Sequence, residues 1–456
     1  MRISQVVHGL PPEYLGGTET YAATLAKELA RQGHTVSVFA HCAYPERPEY
    51  QVETTSVEGV EITRVNNTLR ESKTFPDSYE NENIATCFGQ MLDRFKPDIV
   101  HFQHLMYLST TCVHEAVRRQ IPVVMTLHDY WLICQRGRFL KPDLSVCPGQ
   151  TDSGCARCFH HLLDPKMSTL YRWLKPLLGQ QSWLREQARR WYGKRAGSQS
   201  VSLAARQQIQ ARMAHIRALC ESVSLFLAPS RFLREQFVAF GIPPEKILFH
   251  ECGLQTDAVR SAPRALILQK NGGKRPLIFG YIGVVDPVKG VHLLVEAFQT
   301  LPQAELRIYG GEAAYAPYPD EKRFRSRLAS STRIRCMGRY EQHELGRILA
   351  EVDVVVVPSI WYENAPLVIR EAFLAHTPVI TADFGGMREW VTDGVNGLLF
   401  EPRNIDDLRQ KMMRFMTEPD LVARLSRAFP AVRSISADAA LLEQHYRRLV
   451  QDSRCP

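Results

Sequence analysis

Several features that would place this chain in a familiar class are missing from its sequence. No apolar run reaches the roughly 18 residues that a membrane-spanning helix needs, and residues 1–9 lack the long apolar stretch of a secretory signal. The eleven cysteines are an odd number, and in a chain without a signal peptide they indicate reduced thiols rather than a disulfide framework. We therefore expect a soluble protein of the cytoplasm.

Two ligand-binding motifs are also absent. The chain contains no GxGxxG loop, which marks a dinucleotide-binding sheet. It also contains no Asp-x-Asp pair, a common holder of the divalent ion that accompanies a diphosphate. A site for a phosphorylated ligand must then rely on other glycine loops, helix ends and fixed cations.

The composition is that of a globular chain with more than one domain. Its 456 residues are 45% hydrophobic and 23% charged, which is enough for two cores. The net charge of +8 is concentrated in one segment, because residues 164–217 hold eleven Lys and Arg against two acidic residues. We expect a basic helical excursion there, interleaved with Trp173, Trp183 and Trp191.

Three interpretations of this basic segment compete. A basic amphipathic helix with Trp is typical of a surface that lies on anionic lipid, which would bring the protein to the inner face of the membrane. A nucleic-acid patch is disfavoured, and no nucleic-acid partner is expected, since nothing else in the chain resembles a nucleic-acid module. A solvated surface helix needs no partner at all.

Residues 1–256 alternate short β-branched runs with segments of helical spacing, which predicts an α/β domain with a doubly wound sheet. The chain opens with a βαβ unit made of strand Ile3 to His8, helix Thr18 to Arg31 and strand His34 to His41. Further strands are expected at Val60 to Val65, Asp98 to Phe102, Val123 to Leu127, Ser224 to Ala228 and Ile247 to His250.

A second α/β pattern covers residues 276–435, after a linker at 257–275 that is interrupted by Pro and Gly. The last segment, 436–456, contains a helix that is expected to cross back to the first domain. Two doubly wound domains facing each other across a hinge would enclose a cleft. The strands of the second domain are expected at Leu277 to Val285, Glu305 to Tyr309, Ile334 to Met337, Val352 to Pro358, Val379 to Ala382 and Gly397 to Phe400.

One strand-to-helix junction of the second domain carries two carboxylates. Glu363 lies in the loop before the predicted helix, and Glu371 lies about one and a half turns into it. Pro366 suits the first helical position, and the amides after it would face an anion. Two carboxylates beside an anion-binding helix end suit a nucleotide sugar; two solvated helix charges are the alternative.

Other residues at strand ends favour a phosphate or a sugar. Gly16 and Gly17 allow close approach of the backbone, and Thr18 can cap the following helix; a plain helix-entry turn explains the two glycines equally well. Lys289 follows a strand of the second domain, where its ammonium can neutralise a diphosphate. His128 ends a strand of the first domain, and it either faces a sugar or hydrogen-bonds within its loop.

A cysteine-rich loop covers residues 134–158. Four thiols within it can coordinate a structural zinc ion tetrahedrally, and this ion would stabilise a loop that has no hydrophobic core of its own. Their irregular spacing leaves free or redox-active thiols equally open, and catalytic zinc is disfavoured. The four residues are Cys134, Cys147, Cys155 and Cys158.

Several motifs occur in order along the chain: GGTE near the N-terminus, HDYW, APSRFL, DPVKG, two glutamates at E-x7-E and FGGMREWVTDGVNGLLF. Together they resemble the retaining, GT-B-fold glycosyltransferases of family 4. The resemblance covers nearly the whole chain and is strongest in the second half. It implies two Rossmann-like domains that move a sugar from a UDP- or GDP-sugar to a saccharide or lipid-linked acceptor, in polysaccharide or glycolipid biosynthesis.

The resemblance also implies roles for individual residues. Glu371 would bind the ribose hydroxyls of the donor, Glu363 the hydroxyls of the transferred sugar, and Lys289 the diphosphate. In the first domain, Gly17 would approach the diphosphate and His128 would lie beside the anomeric carbon. Sugar and phosphate would also meet the backbone of Asn364, Ala365, Pro366 and Leu367.

The absence of Asp-x-Asp predicts metal-independent transfer, because Lys289 and helix-end amides would do the work of the metal ion. No cofactor is then needed for catalysis. Retention would come from attack on the face that the leaving group departs from, with the leaving phosphate taking the acceptor's proton. One position departs from the family, since many members have Gly-Arg where this chain has Gly283-Val284. Arg231 or Arg339 could supply the missing cation.

A non-catalytic nucleotide-sugar sensor or scaffold is the alternative function. The basic segment would then be its partner surface. The presence of Glu363, Glu371 and Lys289 argues against this alternative, because a sensor need not keep the group that stabilises leaving-group charge.

Overall fold

The computed structural model describes residues 1–159, 163, 201–260, 276–312 and 320–454. The chain divides into two compact units, Met1–Cys252 with Ile435–Pro456, and Gly253–Ser434, which we call unit 1 and unit 2. Each unit is built around one largely or wholly parallel sheet with helices between its strands. The expected α/β class with two Rossmann-like domains is confirmed.

Unit 1 has an eight-stranded sheet in the order β3-β4-β2-β1-β5-β6-β7-β8. All neighbouring pairs are parallel except β3 with β4. The strands are β1 Arg2–Val7, β2 Thr35–Cys42, β3 Val52–Val57, β4 Val60–Asn66, β5 Ile99–Phe102, β6 Val123–Thr126, β7 Leu225–Ala228 and β8 Ile247–Phe249.

The helices of unit 1 connect these strands, and the last of them comes from the C-terminal segment. They are α1 Gly17–Arg31, α2 Glu82–Phe95, α3 Thr111–Val117, α4 Asp152–Cys158, α5 Leu203–Ser222, α6 Arg231–Phe240 and, at the C-terminal end, α14 Ile435–Arg454.

Unit 2 has a six-stranded sheet in the order β11-β10-β9-β12-β13-β14, with every pair parallel. Its strands are β9 Leu277–Ile282, β10 Ala304–Tyr309, β11 Ile334–Gly338, β12 Val354–Val357, β13 Val379–Ala382 and β14 Gly397–Phe400. Its helices are α7 Asp257–Arg260, α8 Val291–Phe298, α9 Glu321–Ser330, α10 Leu345–Glu351, α11 Leu367–Leu374, α12 Ile405–Thr417 and α13 Leu421–Leu425.

The central strands are apolar along their whole length because helices cover both faces of a parallel sheet. Strand β12 is four consecutive valines, all of them buried. Burying a valine side chain contributes about 1.5 kcal/mol or more, and the β-branched side chain suits the pleated surface. The carboxyl ends of such strands lie at one edge, where open α/β sheets bind ligands.

Helix α14 is tied to unit 1 by buried polar contacts. The Asp438 carboxylate, fully buried, accepts a hydrogen bond from the Tyr21 hydroxyl at 2.8 Å and lies 2.6 Å from His250 Nε2. About two turns further along α14, the Tyr446 hydroxyl lies 2.6 Å from His101 Nδ1. The C-terminal helix is therefore part of the packing of unit 1.

The structure differs from the sequence-based expectations at one strand. Strand β3 was not expected, because its sequence VETTSV is polar and every residue in it is exposed. It forms an antiparallel edge hairpin with β4, and Gly59 in the turn has φ of +79°. An edge strand with no buried face gives no alternating hydrophobic signal.

The division between the units falls at Cys252/Gly253 and at Ser434/Ile435, a few residues from the boundaries expected at 256 and 435. Most of the predicted linker, 257–275, lies outside the described residues; its first residues form the short helix α7. Among the helices of the described ranges, none is long and apolar enough to cross a membrane.

Asp438→Ala is expected to destabilise unit 1 by about 3–5 kcal/mol, because the change leaves the Tyr21 hydroxyl and His250 buried without their partner. Urea unfolding measures the loss, and faster amide hydrogen exchange in residues 435–454 locates it. Asp452→Ala, at an exposed position of the same helix, is the matched control and should behave like the wild type. Equal stability of the two variants would contradict the anchoring role of Asp438.

Candidate functional site

Glu363 is the centre of a buried polar cluster at the carboxyl edge of the unit 2 sheet. The residue is only 6% exposed. Its Oε1 accepts from Lys289 Nζ at 2.6 Å, from Ser359 Oγ at 2.7 Å and from Trp361 Nε1 at 2.9 Å. Three donors on one oxygen fix the orientation of the carboxylate and leave Oε2 as the oxygen not used in these contacts.

The backbone brings Lys289 to this carboxylate. Asp286 caps a 3₁₀ turn by accepting from Val288 N at 2.8 Å, and the turn ends at Gly290 with φ of +73°. A Cβ on Gly290 would lie 1.8 Å from the Pro358 carbonyl oxygen, so only glycine fits. The turn after β9 thus packs directly on the loop after β12, its neighbour in the sheet.

Lys289 and Glu363 therefore form an ion pair, which the sequence did not indicate. The lysine was expected at the diphosphate and the glutamate at the sugar, as separate groups. The Lys289 side chain is 34% exposed, and its ammonium also lies 5.4 Å from the centre of the Trp361 ring. It is open enough on one side to meet a ligand while it remains paired.

A second glycine loop holds the backbone between Glu363 and α11. Gly386 N donates to the Glu363 carbonyl at 2.7 Å, and a Cβ on Gly386 would lie 1.6 Å from the Asn364 carbonyl oxygen. The loop Asp383–Met387 is thus packed on the segment that carries Glu363 and Asn364. Residues Asn364, Ala365, Pro366 and Leu367 lie together at the start of α11.

Pro366 corrects one detail of the sequence interpretation. It is the N-cap residue of α11, with φ of −57° and ψ of 118°, and Leu367 is the first helical residue. Proline fits this position as well, because the N-cap has a non-helical ψ and its fixed φ is satisfied. The shift of one residue leaves the amides of the first turn at the same edge of the sheet.

Glu371 is buried in the fifth position of α11, so the solvated alternative does not hold for it. Burial raises the pKa of its carboxyl to about 7, against weaker opposing effects of Gln342 and Arg370. Gln342 Nε2 lies 3.4 Å from Glu371 Oε1, and Tyr340, in the same segment, has its pKa raised by burial and by Glu371. A carboxyl with this pKa is balanced between its charged and neutral forms near neutral pH.

The glycine loop of unit 1 begins helix α1. Gly16 is the N-cap and Gly17 the first helical residue, with no side chain capping the helix; the expected cap by Thr18 is wrong. The Glu19 side chain folds back instead, because a Cβ on Gly16 would meet its Oε2 at 2.3 Å. The glycine at 16 therefore makes room for Glu19.

His128 lies at the carboxyl end of β6, in a pocket lined by residues from the ends of β5 and β6. Its Nε2 lies 2.8 Å from Gln103 Oε1, and its ring lies 5.5 Å from that of Tyr21. Burial lowers the pKa of His128 to about 3, so the imidazole is neutral. The pocket includes Gln103, His104, Thr126, His128, Asp129 and Trp131.

Two carboxylate–imidazole pairs stand near His128 and were missed by the sequence interpretation. His104 Nε2 lies 3.1 Å from Asp129 Oδ1, and His8 Nε2 lies 3.1 Å from Glu19 Oε1. The rings of His8 and His104 are 4.3 Å apart. Burial lowers the pKa of His8, and His104 lowers it further. A signal was present, since both histidines follow strands at the ligand-binding edge.

The four cysteines of the loop 134–158 are free thiols, each partly buried. Burial raises the pKa of the Cys155 thiol to about 11, and the other three sulfurs raise it further. Within the described ranges, no three His, Cys, Asp or Glu side chains are grouped as ligands of one metal ion. Structural zinc at Cys134, Cys147, Cys155 and Cys158 stays a prediction, as does the alternative of redox-active thiols.

The basic segment is described only in part. Residues 164–200, with the three tryptophans, lie outside the described residues, and 203–217 belong to α5. Arg212 in this helix is buried and donates to the carbonyls of Trp131 at 2.7 Å and Leu132 at 3.1 Å. One of the charges expected on a basic surface is therefore inside unit 1.

Two family models match the chain. The model "Glycosyltransferase Family 4" matches residues 15–258, and the model "Glycosyl transferases group 1" matches residues 264–430. The first covers more than half of the chain, and the two together cover both units.

Three relatives match between 44% and 94% of the chain. The glycogen synthase of Mycobacterium tuberculosis is 26% identical over 94% of this chain and 89% of its own. The MMP alpha-(1->4)-mannosyltransferase of Mycolicibacterium hassiacum is 23% identical over 90% and 89%. The D-inositol 3-phosphate glycosyltransferase of Mycolicibacterium smegmatis is 29% identical, but the match spans about half of each protein, 44% of this chain and 46% of the relative.

Solved structures with the same architecture include Anabaena HepE in complex with UDP and glucose, with a TM-score of 0.61, 16% identity and full coverage of both chains. The sucrose-phosphate synthase of Thermosynechococcus elongatus has a TM-score of 0.66 at 17% identity over 99% of each chain. These likenesses show the GT-B fold. With the family match over both units, they establish that the chain belongs to glycosyltransferase family 4 and transfers a sugar from a nucleotide sugar.

Proposed function

We propose that the chain is a retaining, metal-independent transferase that moves a hexose from a nucleoside-diphosphate sugar to an acceptor hydroxyl. The observation that carries the proposal is the cluster of Lys289, Ser359 and Trp361 around the Glu363 carboxylate. It supplies a fixed positive charge and an oriented acceptor oxygen at the edge of unit 2 where a donor is expected to bind.

Lys289 has the role of leaving-group stabiliser. Cleavage of a sugar–diphosphate bond builds negative charge on the departing phosphate, and fixed cations aimed at that charge lower the barrier. The partial exposure of the Lys289 side chain gives a phosphate access to the ammonium. The backbone at the start of α11 adds the positive end of a helix dipole.

Glu363 binds hydroxyls of the transferred sugar and acts neither as a nucleophile nor as a base. Its Oε1 already accepts from an ammonium, a hydroxyl and an indole N–H, so the lone pairs of that oxygen are occupied. Its Oε2 is free of those three contacts and can accept from a sugar hydroxyl. Retention then needs no side-chain nucleophile, and the leaving phosphate takes the acceptor's proton.

Glu371 binds the ribose hydroxyls of the donor nucleotide. It is the fifth residue of α11, the helix that follows the loop carrying Glu363, and its carboxyl can accept from two neighbouring hydroxyls when it is ionised. The neutral imidazole of His128 can form hydrogen bonds with a sugar, but it carries no positive charge. A place for His128 or Gly17 beside the donor rests on the resemblance alone.

The relatives support the choice of donor and acceptor classes. HepE was solved with UDP and with UDP-glucose, which favours a uridine diphosphate sugar, with GDP-sugars as the other candidate. The relatives named for glycogen, mannosyl and inositol phosphate products favour a saccharide or lipid-linked acceptor in polysaccharide or glycolipid biosynthesis. Contact of the basic segment with anionic lipid would suit a lipid-linked acceptor.

Lys289→Ala is expected to lower kcat about 100- to 1,000-fold, because it removes a fixed cation from the developing charge. Steady-state transfer from a nucleotide sugar that the wild type accepts measures the loss. Lys322→Ala, at an exposed position of α9, is the control and should retain wild-type turnover. Full activity of the Lys289 variant would remove the lysine from the mechanism.

Metal independence has its own test. Transfer by the purified wild type should continue at the same rate after incubation with EDTA and removal of the chelated ions, because the proposed charge stabilisation comes from the protein. Loss of activity with EDTA and recovery with Mg²⁺ or Mn²⁺ would overturn this part of the proposal. Binding without any turnover or donor hydrolysis would favour the sensor alternative.

Glu371→Gln is expected to stabilise unit 2 at pH 8 and to change little at pH 4. The folded state holds the proton more tightly, because its pKa is about 7 against an ordinary value of 4.5. Stability is therefore lost as the pH rises between these values, by an amount on the order of 3 kcal/mol. Glu371→Gln has no carboxyl to ionise, so the variant does not lose this stability.

Thermal melting across pH 4 to 8 measures the effect, with Glu389→Gln at an exposed site of unit 2 as the control. The Glu371 variant should also bind nucleoside diphosphate more weakly, because an amide is a poorer acceptor for two ribose hydroxyls than a carboxylate. A variant with wild-type pH dependence would show that the carboxyl is not desolvated as the structure places it.

A further inference from the structure

Arg339 lies at the same edge of the unit 2 sheet as Lys289. It directly follows β11, and β11 pairs with β10, which pairs with β9. All three strands are parallel, so the residues after each of them emerge at one edge. Arg339 is exposed, and no carboxylate of the described residues lies within 4.0 Å of its guanidinium.

The Arg339 side chain lies over the segment that follows β10, the strand next to β11. A Cβ on Gly311, the second residue after β10, would lie 2.6 Å from Arg339 Nε and 3.3 Å from its Cδ. Gly311 is bound in turn to the segment after β9, because Val285 N donates to its carbonyl at 2.9 Å. The Arg339 side chain therefore lies over the glycine that is hydrogen-bonded to Val285.

Val284 is exposed beside Gly310. The residue is 41% exposed, with its carbonyl held by the Tyr281 hydroxyl at 2.6 Å. A Cβ on Gly310 would lie 1.8 Å from the Gly283 carbonyl oxygen, so the loops after β9 and β10 touch through glycines. Position 284 is the place where the sequence lacks the expected second cation.

The charge of a bound diphosphate calls for more than Lys289. That ammonium is shared with Glu363, and a diphosphate carries at least two negative charges near neutral pH. Arg388, from the loop after β13, is paired with Asp383 at 3.3 Å, and Arg370 is fully buried. Arg231, the other candidate from the sequence, stacks on Phe249 within unit 1.

We propose that Arg339 is the second phosphate-binding cation of the donor site and takes the place that Val284 leaves open. The proposal rests on the proposed function, since it assumes a nucleoside-diphosphate donor at this edge. A guanidinium suits the task because it can hold two phosphate oxygens at once and stays charged at any working pH.

The test compares binding of UDP and GDP with binding of uridine and guanosine by isothermal titration calorimetry. Arg339→Gln should weaken binding of the preferred diphosphate about tenfold, the effect of losing one charge-assisted contact. Binding of the matching nucleoside should not change, because it carries no phosphate. Arg339→Lys should lose less affinity than Arg339→Gln.

Two further variants test whether diphosphate binding depends on the position of the guanidinium. Arg335→Gln changes an exposed arginine of the same strand, one that pairs with Glu305 at 3.4 Å, and should bind the diphosphate as the wild type does. The double variant Arg339→Gln with Val284→Arg should regain much of the lost affinity, because it places a guanidinium at the position beside Gly311. Thermal melting verifies that each variant is folded.

The outcomes distinguish a failure of the role of Arg339 from a failure of the proposed function. Equal losses for nucleoside and diphosphate would show that Arg339 meets the base, and would overturn the inference. Diphosphate binding that Arg339→Gln leaves unchanged, or a Val284→Arg change that restores nothing, would overturn it as well while leaving the proposed function intact. A wild-type chain that binds neither diphosphate would overturn the proposed function, and the role of Arg339 with it.

Discussion

The contact between the Lys289 ammonium and the Glu363 carboxylate is the interaction on which the proposed donor site depends. Each group alone would be costly at its position, since Glu363 is almost fully buried and Lys289 is partly desolvated. Together with Ser359 and Trp361 they satisfy one another, and the carboxylate is locked in one orientation. Removing one partner leaves the other charge uncompensated, so neither position tolerates change independently.

The sheet topology explains why these groups meet. Strands β9 and β12 are neighbours and parallel, so the turns that follow them emerge side by side, although Lys289 and Glu363 are 74 residues apart in the chain. Gly290 lets those two turns touch, and Gly386 lets the loop after β13 touch the loop after β12, at distances that any side chain would prevent. The apolar strands beneath provide a rigid support, and the site consists of the loops above them.

Much of this arrangement could be predicted from the sequence. The valine run of β12, the junction after it and the lysine turn are local signals, and they predict that Glu363 precedes the helix after β12, that Glu371 lies within it and that Lys289 lies in the turn after β9. The ion pair could not be predicted, because it depends on which strands are neighbours. Strand β3 gives no pattern, since neither of its faces is buried. Arg212 has a basic side chain that usually indicates a surface, but here it is buried against two carbonyls.

In the proposed mechanism, Lys289 and Glu363 act on the donor as one unit. A double-mutant cycle on kcat/KM for Lys289→Ala and Glu363→Gln tests this most directly. If the claim is correct, the double variant loses far less than the product of the two single losses, because either change alone already dismantles the pair. Losses that simply multiply would show two independent groups and contradict the account.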